Sequence, residues 1–212
     1  MKKNLKEEIL KTAQTFFNEK GYQETTMRDI ASALRISLGN LTYHFHKKED
    51  LMIALLKWPD FLNQPPAATF EELFELIRAM IESLIVNRFF YTEDELGRAT
   101  PEFYRHNVDT VSRIENHLEQ SLQQLSDQGW LIPWTSEQEM HAFTRMIMDS
   151  HIVWIKNSFY REAQDQISYA DFLDIHWYLL QSHVQKEKLT EYQRSRSWLS
   201  TGKKSERREI KC

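Results

Sequence analysis

The chain has 212 residues, 41% of them hydrophobic and 27% charged, an ordinary balance for a globular protein of one large or two modest domains. No segment approaches the ~18 consecutive apolar residues of a membrane span, and Met1-Lys2-Lys3-Asn4 leads into Leu5-Lys6-Glu7-Glu8 rather than an apolar signal core. A single cysteine, Cys212, excludes an intramolecular disulfide framework and a zinc site built on cysteine clusters, so a cytoplasmic location is expected.

Glycine and proline are scarce, at five each, and no alternating β-branched run is bounded by turns, so the expectation is an all-α fold. Apolar Leu5, Ile9, Ala13, Phe16 and Phe17 recur at helical spacing and predict a first helix over 3–20. Gly21 suits the left-handed residue after it, and Tyr22 folds back on a small core. Thr26 caps a second helix that turns Met27, Ile30, Ala31 and Leu34 inward and Arg28 and Asp29 outward. Ile36 fills a tight turn. Ser37 then caps a third helix anchored by Leu41 and Phe45, and Lys47-Lys48-Glu49-Asp50 opens a fourth that ends at Trp58-Pro59.

Residues 59–68, with Pro65-Pro66, read as a linker. Beyond it, Thr69 with Glu72, Thr92 with Glu95, and Ser136 with Glu139 have capping-box spacing. Pro101 suits a first helical position, and Gly129 ends the long helix that follows. Helices over 136–160 and 168–189 complete the expected core, and the polar, basic end of the chain reads as a flexible tail. The expected division is 1–50, 51–190 and a tail over 191–212. Charge follows it. Residues 1–50 hold 9 Lys/Arg against 7 Asp/Glu, residues 51–185 hold 9 against 20, and residues 186–212 hold 9 against 4. An acidic middle repels a phosphate backbone, which the N-terminal segment can approach.

The third helix is too short to be stable alone and has two faces. Leu41 and Phe45 hold it down, while Leu38, Asn40, Thr42, Tyr43 and His44 form a second face with the chemistry of a major-groove reader. Asn40 offers a donor and an acceptor to a base edge, Thr42 a hydroxyl or a methyl, and Leu38 a partner for a thymine methyl. Tyr43, His44, Lys47 and Lys48 suit phosphates. Thr25 and Thr26 stand at a helix start whose amides attract an anion. With Ser37, these are the expected DNA-binding residues.

The ordered pattern Ala13, Phe16, Gly21, Tyr22, Thr25-Thr26-Met27-Arg28-Asp29-Ile30-Ala31, Leu34, Ile36-Ser37, Gly39, Leu41, Tyr43-His44-Phe45, Lys48, Glu49, Leu51 resembles the TetR family of bacterial transcriptional regulators. Thr42 departs from it, where the family often has a second aromatic. The resemblance implies a helix-turn-helix head and a larger helical domain that pairs subunits through its last two long helices and often encloses a small-molecule pocket. It implies a homodimeric repressor on a palindromic operator with heads ~34–36 Å apart, released by a small-molecule effector. The pairing helices would be 136–160 and 168–189, with Phe143, Met146, Ile147, Trp154, Ile155, Leu173, Trp177, Leu180 and Val184 among their apolar residues. For the effector, Phe89, Phe90, Phe103, Tyr104, Trp130 and Trp154 could wall a pocket. The same composition suits a dry core.

No enzyme or cofactor is expected. Glu75, Glu82, Asp109 and Asp149 lack a second catalytic group at a telling spacing, and there is no phosphate loop, nucleophile elbow or His-Glu-x-x-His pattern. His44 with His46, and His176 with His183, have poor spacing for metal ligands, so no metal is expected.

Overall fold

A computed structural model of the protein describes residues 5–92, 96, 101–160 and 169–201. Among the described residues every long element is an α-helix, and β-pairing is confined to one isolated antiparallel bridge, Leu131 with Val184. The all-α expectation holds. No helix there is long and apolar enough to cross a membrane. Contacts divide the chain into two compact units, Met1–Trp58 with Leu84–Thr110, and Pro59–Ser83 with Val111–Cys212.

The first unit opens with α1 (Leu5–Lys20), α2 (Met27–Ala33), α3 (Leu38–His44) and α4 (Lys48–Leu55). In α1, Ile9, Ala13 and Phe17 are buried at four-residue intervals, one stripe of a helical surface. Gly21 ends it at φ 89°, where a Cβ would be strained, and its amide donates to the Phe17 carbonyl at 3.1 Å. Helix α1 packs on α2 and α4, and α2 on α3. Their shared core holds Ile30, Ala31, Leu41, Phe45, Leu51 and Met52. Helix α4 stops at Leu55, three residues before the Trp58-Pro59 expected to end it.

Two further segments join this core: α6 (Phe89–Thr92) and the start of α7 (Pro101–Asp127). Phe89 lies 5.1 Å from Phe17 and 4.0 Å from Phe90, and Phe90 lies 4.9 Å from Phe103, measured between ring centroids. A polar seam runs beside the rings. Gln14 donates to Asn87 at 2.7 Å, Asn18 donates to the Val86 carbonyl at 2.9 Å, and Arg88 donates to the Asn18 carbonyl at 3.0 Å.

In the second unit, α5 (Phe70–Val86) contributes Phe70, Leu73, Phe74 and Ile77 to the core, and α7 contributes Leu118, Leu122 and Leu125. Pro101 opens α7, and Gly129 follows its end at φ 72°. Thr69 accepts the Glu72 amide at 3.2 Å at the start of α5. Ser136 accepts the Glu139 amide at 3.1 Å at the start of α8 (Glu137–Tyr160). The Glu139 carboxylate reaches back one residue further, to the Thr135 hydroxyl and amide, and those bonds hold its carboxyl below the usual range. The third capping pair includes Glu95, outside the described residues. Within the expected linker, Asp60–Asn63 is a 3-10 turn, and the buried Ala67 donates its amide to Ser121 at 3.0 Å.

Two expectations fail at the C-terminal end. The helix expected over 168–189 is broken: α9 (Tyr169–Gln181) stops, and α10 (Leu189–Thr201) begins after a 3-10 turn. Nothing local breaks it; the reason is long-range. Ile132 donates to the His183 carbonyl at 2.7 Å and Gln185 to the Trp130 carbonyl at 3.0 Å, bonds that a continuous helix would forbid. The other correction concerns the tail. Residues 191–201 are helical because Tyr192 is fully buried, stacked on Trp177 at 5.0 Å and set edge-on to Phe70 at 4.8 Å. Its hydroxyl donates to the Trp177 carbonyl. Residues 202–212 lie outside the described residues.

Candidate nucleic-acid interface

Helix α3 has seven residues, of which Leu41 is its buried anchor, with Phe45 buried just after its end. Ser37 caps it, accepting the Asn40 amide at 3.1 Å. So short a helix cannot hold itself, and its orientation is set by the neighbours it packs on. The turn before it relies on Arg35, a non-glycine at φ 55°, with the Ile36 amide donating back to Ala31 at 3.0 Å. No sequence signal marked Arg35, since glycine or asparagine is the usual occupant of that conformation.

The opposite face is open. Tyr43 is 80% exposed with its ring edge-on to His44 at 5.3 Å, so it is no core residue. Leu38 and Asn40 are exposed, and Thr42 and His44 are half-buried. The Thr42 hydroxyl donates to the Gly39 carbonyl at 3.1 Å, which leaves its oxygen to accept and its methyl to touch a base. Lys47 is exposed, and its amide donates to Asp50 at 3.1 Å across the start of α4.

Two expected phosphate residues are placed differently. Thr25 is fully buried, with its hydroxyl donating to the Gly21 carbonyl at 2.7 Å and its amide to Tyr22 at 3.3 Å. Both polar groups serve the turn, so Thr25 presents no side chain to a duplex. Lys48 is half-buried. Its ammonium donates to the Tyr22 carbonyl at 2.6 Å and the Gln23 carbonyl at 3.2 Å, and sits 4.3 Å from the Tyr22 ring centre.

Thr26 is the cap of α2, but the cap is reciprocal. Its hydroxyl donates to Asp29 at 2.6 Å and accepts the Asp29 amide at 3.2 Å, while its own amide donates to the carboxylate at 2.9 Å. The two bonds from Thr26, the hydroxyl's foremost, hold the Asp29 carboxyl below its usual range. The chain thus supplies its own anion at this helix start. The signal was in the sequence: a threonine three residues before an acid is the capping-box spacing.

The six aromatic residues expected to wall an effector pocket are divided between the two units. Phe89, Phe90 and Phe103 belong to the core of the first unit, and Tyr104 is 61% exposed. Trp130 packs edge-on to Phe70 at 5.1 Å, and Trp154 stacks on Phe172 at 5.0 Å. None of them lines the cleft of about 410 Å³ in the second unit, whose walls include Phe61, Pro65, Glu72, Glu75, Arg78 and His117. That volume is within the size range of small-molecule sites. Desolvation lowers the pKa of His117 there.

Of the apolar residues expected to pair subunits, Phe143, Ile147, Ile155, Leu173, Trp177, Leu180 and Val184 are buried within the protomer. Among the described residues, the large apolar side chains left exposed on α8 and α9 are Met146, Val153, Ile175 and Tyr178, of which only Met146 was anticipated. Histidine spacing also missed His141, brought by α8 to Glu119 at 2.9 Å and Glu115 at 3.8 Å, with Arg145 3.4 Å from Glu115. A solvated helix surface, with a hydrogen bond from His141 to Glu119 and an ion pair of Arg145 with Glu115, accounts for this group.

Residues 9–55 match the family of bacterial regulatory proteins described as the tetR family. A transcriptional repressor of Corynebacterium efficiens, AcnR, is 27% identical over 152 residues, spanning 70% of this chain and 80% of that protein. The structure of a TetR-family transcriptional regulator from Marinobacter aquaeolei VT8 superimposes with a TM-score of 0.78 at 21% identity, covering 94% of this chain and 99% of that one. AibR in complex with isovaleryl coenzyme A and operator DNA superimposes with a TM-score of 0.60 at 18% identity, covering 82% and 96%.

Proposed function

We infer from its membership of the tetR family of bacterial regulatory proteins that this chain is a sequence-specific, DNA-binding transcriptional repressor and not an enzyme. It works as a homodimer in the cytoplasm, on a palindromic operator, and a small-molecule effector releases it. One observation carries the reading at the level of atoms. Helix α3 buries Leu41 and leaves Leu38, Asn40 and Tyr43 on an open face.

Leu38, Asn40 and Thr42 read base edges. Tyr43, His44 and Lys47 hold phosphates and so set the register without choosing sequence. Ser37 contributes by fixing the first turn of α3, and Thr26 by fixing that of α2. The first unit, Met1–Trp58 with Leu84–Thr110, carries the reading head, and the second, Pro59–Ser83 with Val111–Cys212, pairs the subunits and takes the effector. The pairing face runs along α8 and α9 through Met146, Val153, Ile175 and Tyr178. These apolar side chains are exposed in the protomer, and a matching face on a second copy would remove them from water. An effector acts only through a difference in its affinity for the two head spacings.

Selection of bound duplexes from random DNA tests the reading. It should return an inverted repeat with half-sites about one helical turn, or a multiple of it, apart. Recovery of no enriched sequence at low salt contradicts it.

A further inference from the structure

The geometry points to Lys48 as a positioning residue of the DNA-reading head, acting through the turn between α1 and α2 rather than on a phosphate. This rests on the DNA-binding reading above. Lys48 is the first residue of α4. A helix start carries a partial positive charge and disfavours a cation. What compensates here is local: two carbonyls, of Tyr22 and Gln23, at 2.6 and 3.2 Å, and the face of the Tyr22 ring at 4.3 Å. A half-buried ammonium held in this way has a fixed direction, toward the protein.

The consequence lies in what the turn controls. Tyr22 is buried edge-on to Phe17 at 5.1 Å, so its position is tied to α1. The Tyr22 carbonyl also accepts the Thr25 amide at 3.3 Å, and the next residue, Thr26, caps α2. Helix α2 in turn supports α3, whose chain runs through Phe45 into α4. Lys48 closes this circuit, joining the start of α4 to the turn that launches α2. With the tie in place, the two short seven-residue helices have both ends of their segment fixed.

The test compares Lys48→Met, Lys48→Arg and Lys47→Met on a duplex that the wild-type protein has selected from random DNA, titrated by fluorescence anisotropy at several salt concentrations. Thermal unfolding is followed in parallel. Failure of the wild type to select any duplex would contradict the function itself, before a variant is made.

Lys48→Met should bind about ten-fold more weakly with an unchanged dependence of log Kd on log salt. Lys47→Met should lower that slope by about 0.9 for each head. Lys48→Arg keeps the charge but replaces a compact ammonium with a planar fork that does not fit two converging carbonyls and a ring. It should also weaken binding at unchanged slope, which keeps the test decisive if Lys48→Met does not fold. Wild-type affinity in the variants, or a slope lowered as in Lys47→Met, overturns the inference.

Discussion

Acid should destabilise this fold through His151, by an amount the structure allows to be worked out. His151 is buried on α8, with its Nδ1–H donating to the Ile147 carbonyl at 2.6 Å. The His176 ring lies 4.7 Å away, with Phe172 edge-on at 5.3 Å. Burial foremost, and then the neighbouring His176, push the pKa of His151 down from 6.5 to about 4. The unfolded chain therefore takes up a proton near pH 6.5 that the folded chain refuses until about pH 4. Stability is complete above pH 6.5, falls as the pH drops through the interval, and levels off below about 4, where the loss reaches about 3 kcal/mol. Between pH 7.5 and 5 the loss is about 2 kcal/mol.

Urea unfolding of wild type and His151→Leu, followed by tryptophan fluorescence at fixed protein concentration, isolates this contribution, since the carboxylates common to both proteins cancel in the difference. The wild type should lose about 2 kcal/mol more than the variant between pH 7.5 and 5. His176, whose pKa is also lowered by burial, stays in both. Equal losses would refute the argument.

Ser37→Ala should cost about 1 kcal/mol in unfolding experiments by removing the cap of α3. Tyr192→Phe should cost about 1 kcal/mol by deleting the buried hydroxyl bonded to Trp177, where a tail over 191–201 would give no change in urea midpoint. Val153→Glu should shift the dimer toward monomer in sedimentation velocity at micromolar protein, because it places a charge in the proposed pairing face. Tyr43→Ala should leave the melting temperature unchanged, as exposed substitutions do, yet weaken binding to every duplex, whereas Thr42→Ala should relax preference at one or two base positions when selections are repeated.

What the sequence made legible was local. Thr26, Ser37 and Gly21 mark helix ends by their own chemistry, and Leu41 and Phe45 mark the inner side of α3 by spacing, so the helices of the head are written in its local sequence. Long-range effects were not legible. Whether Thr25 or Thr26 faces outward depends on the Gly21 carbonyl that claims the Thr25 hydroxyl. The destination of the Lys48 ammonium depends on two carbonyls 25 and 26 residues away. Helix propensity carried straight through 182–188, and only pairing with residues 130–132 breaks the helix there. Composition also could not separate a ligand wall from a core: Phe89 and Phe103 are as aromatic in one as in the other.

DNA binding stands on the outer face of α3 meeting the duplex, and a single introduced negative charge tests that most directly. Asn40→Glu alters an exposed side chain, so the melting temperature and the dimer should be kept. Placed against the phosphates and base edges of the selected duplex, the carboxylate should abolish binding in the anisotropy titration. Wild-type affinity in Asn40→Glu would contradict the account.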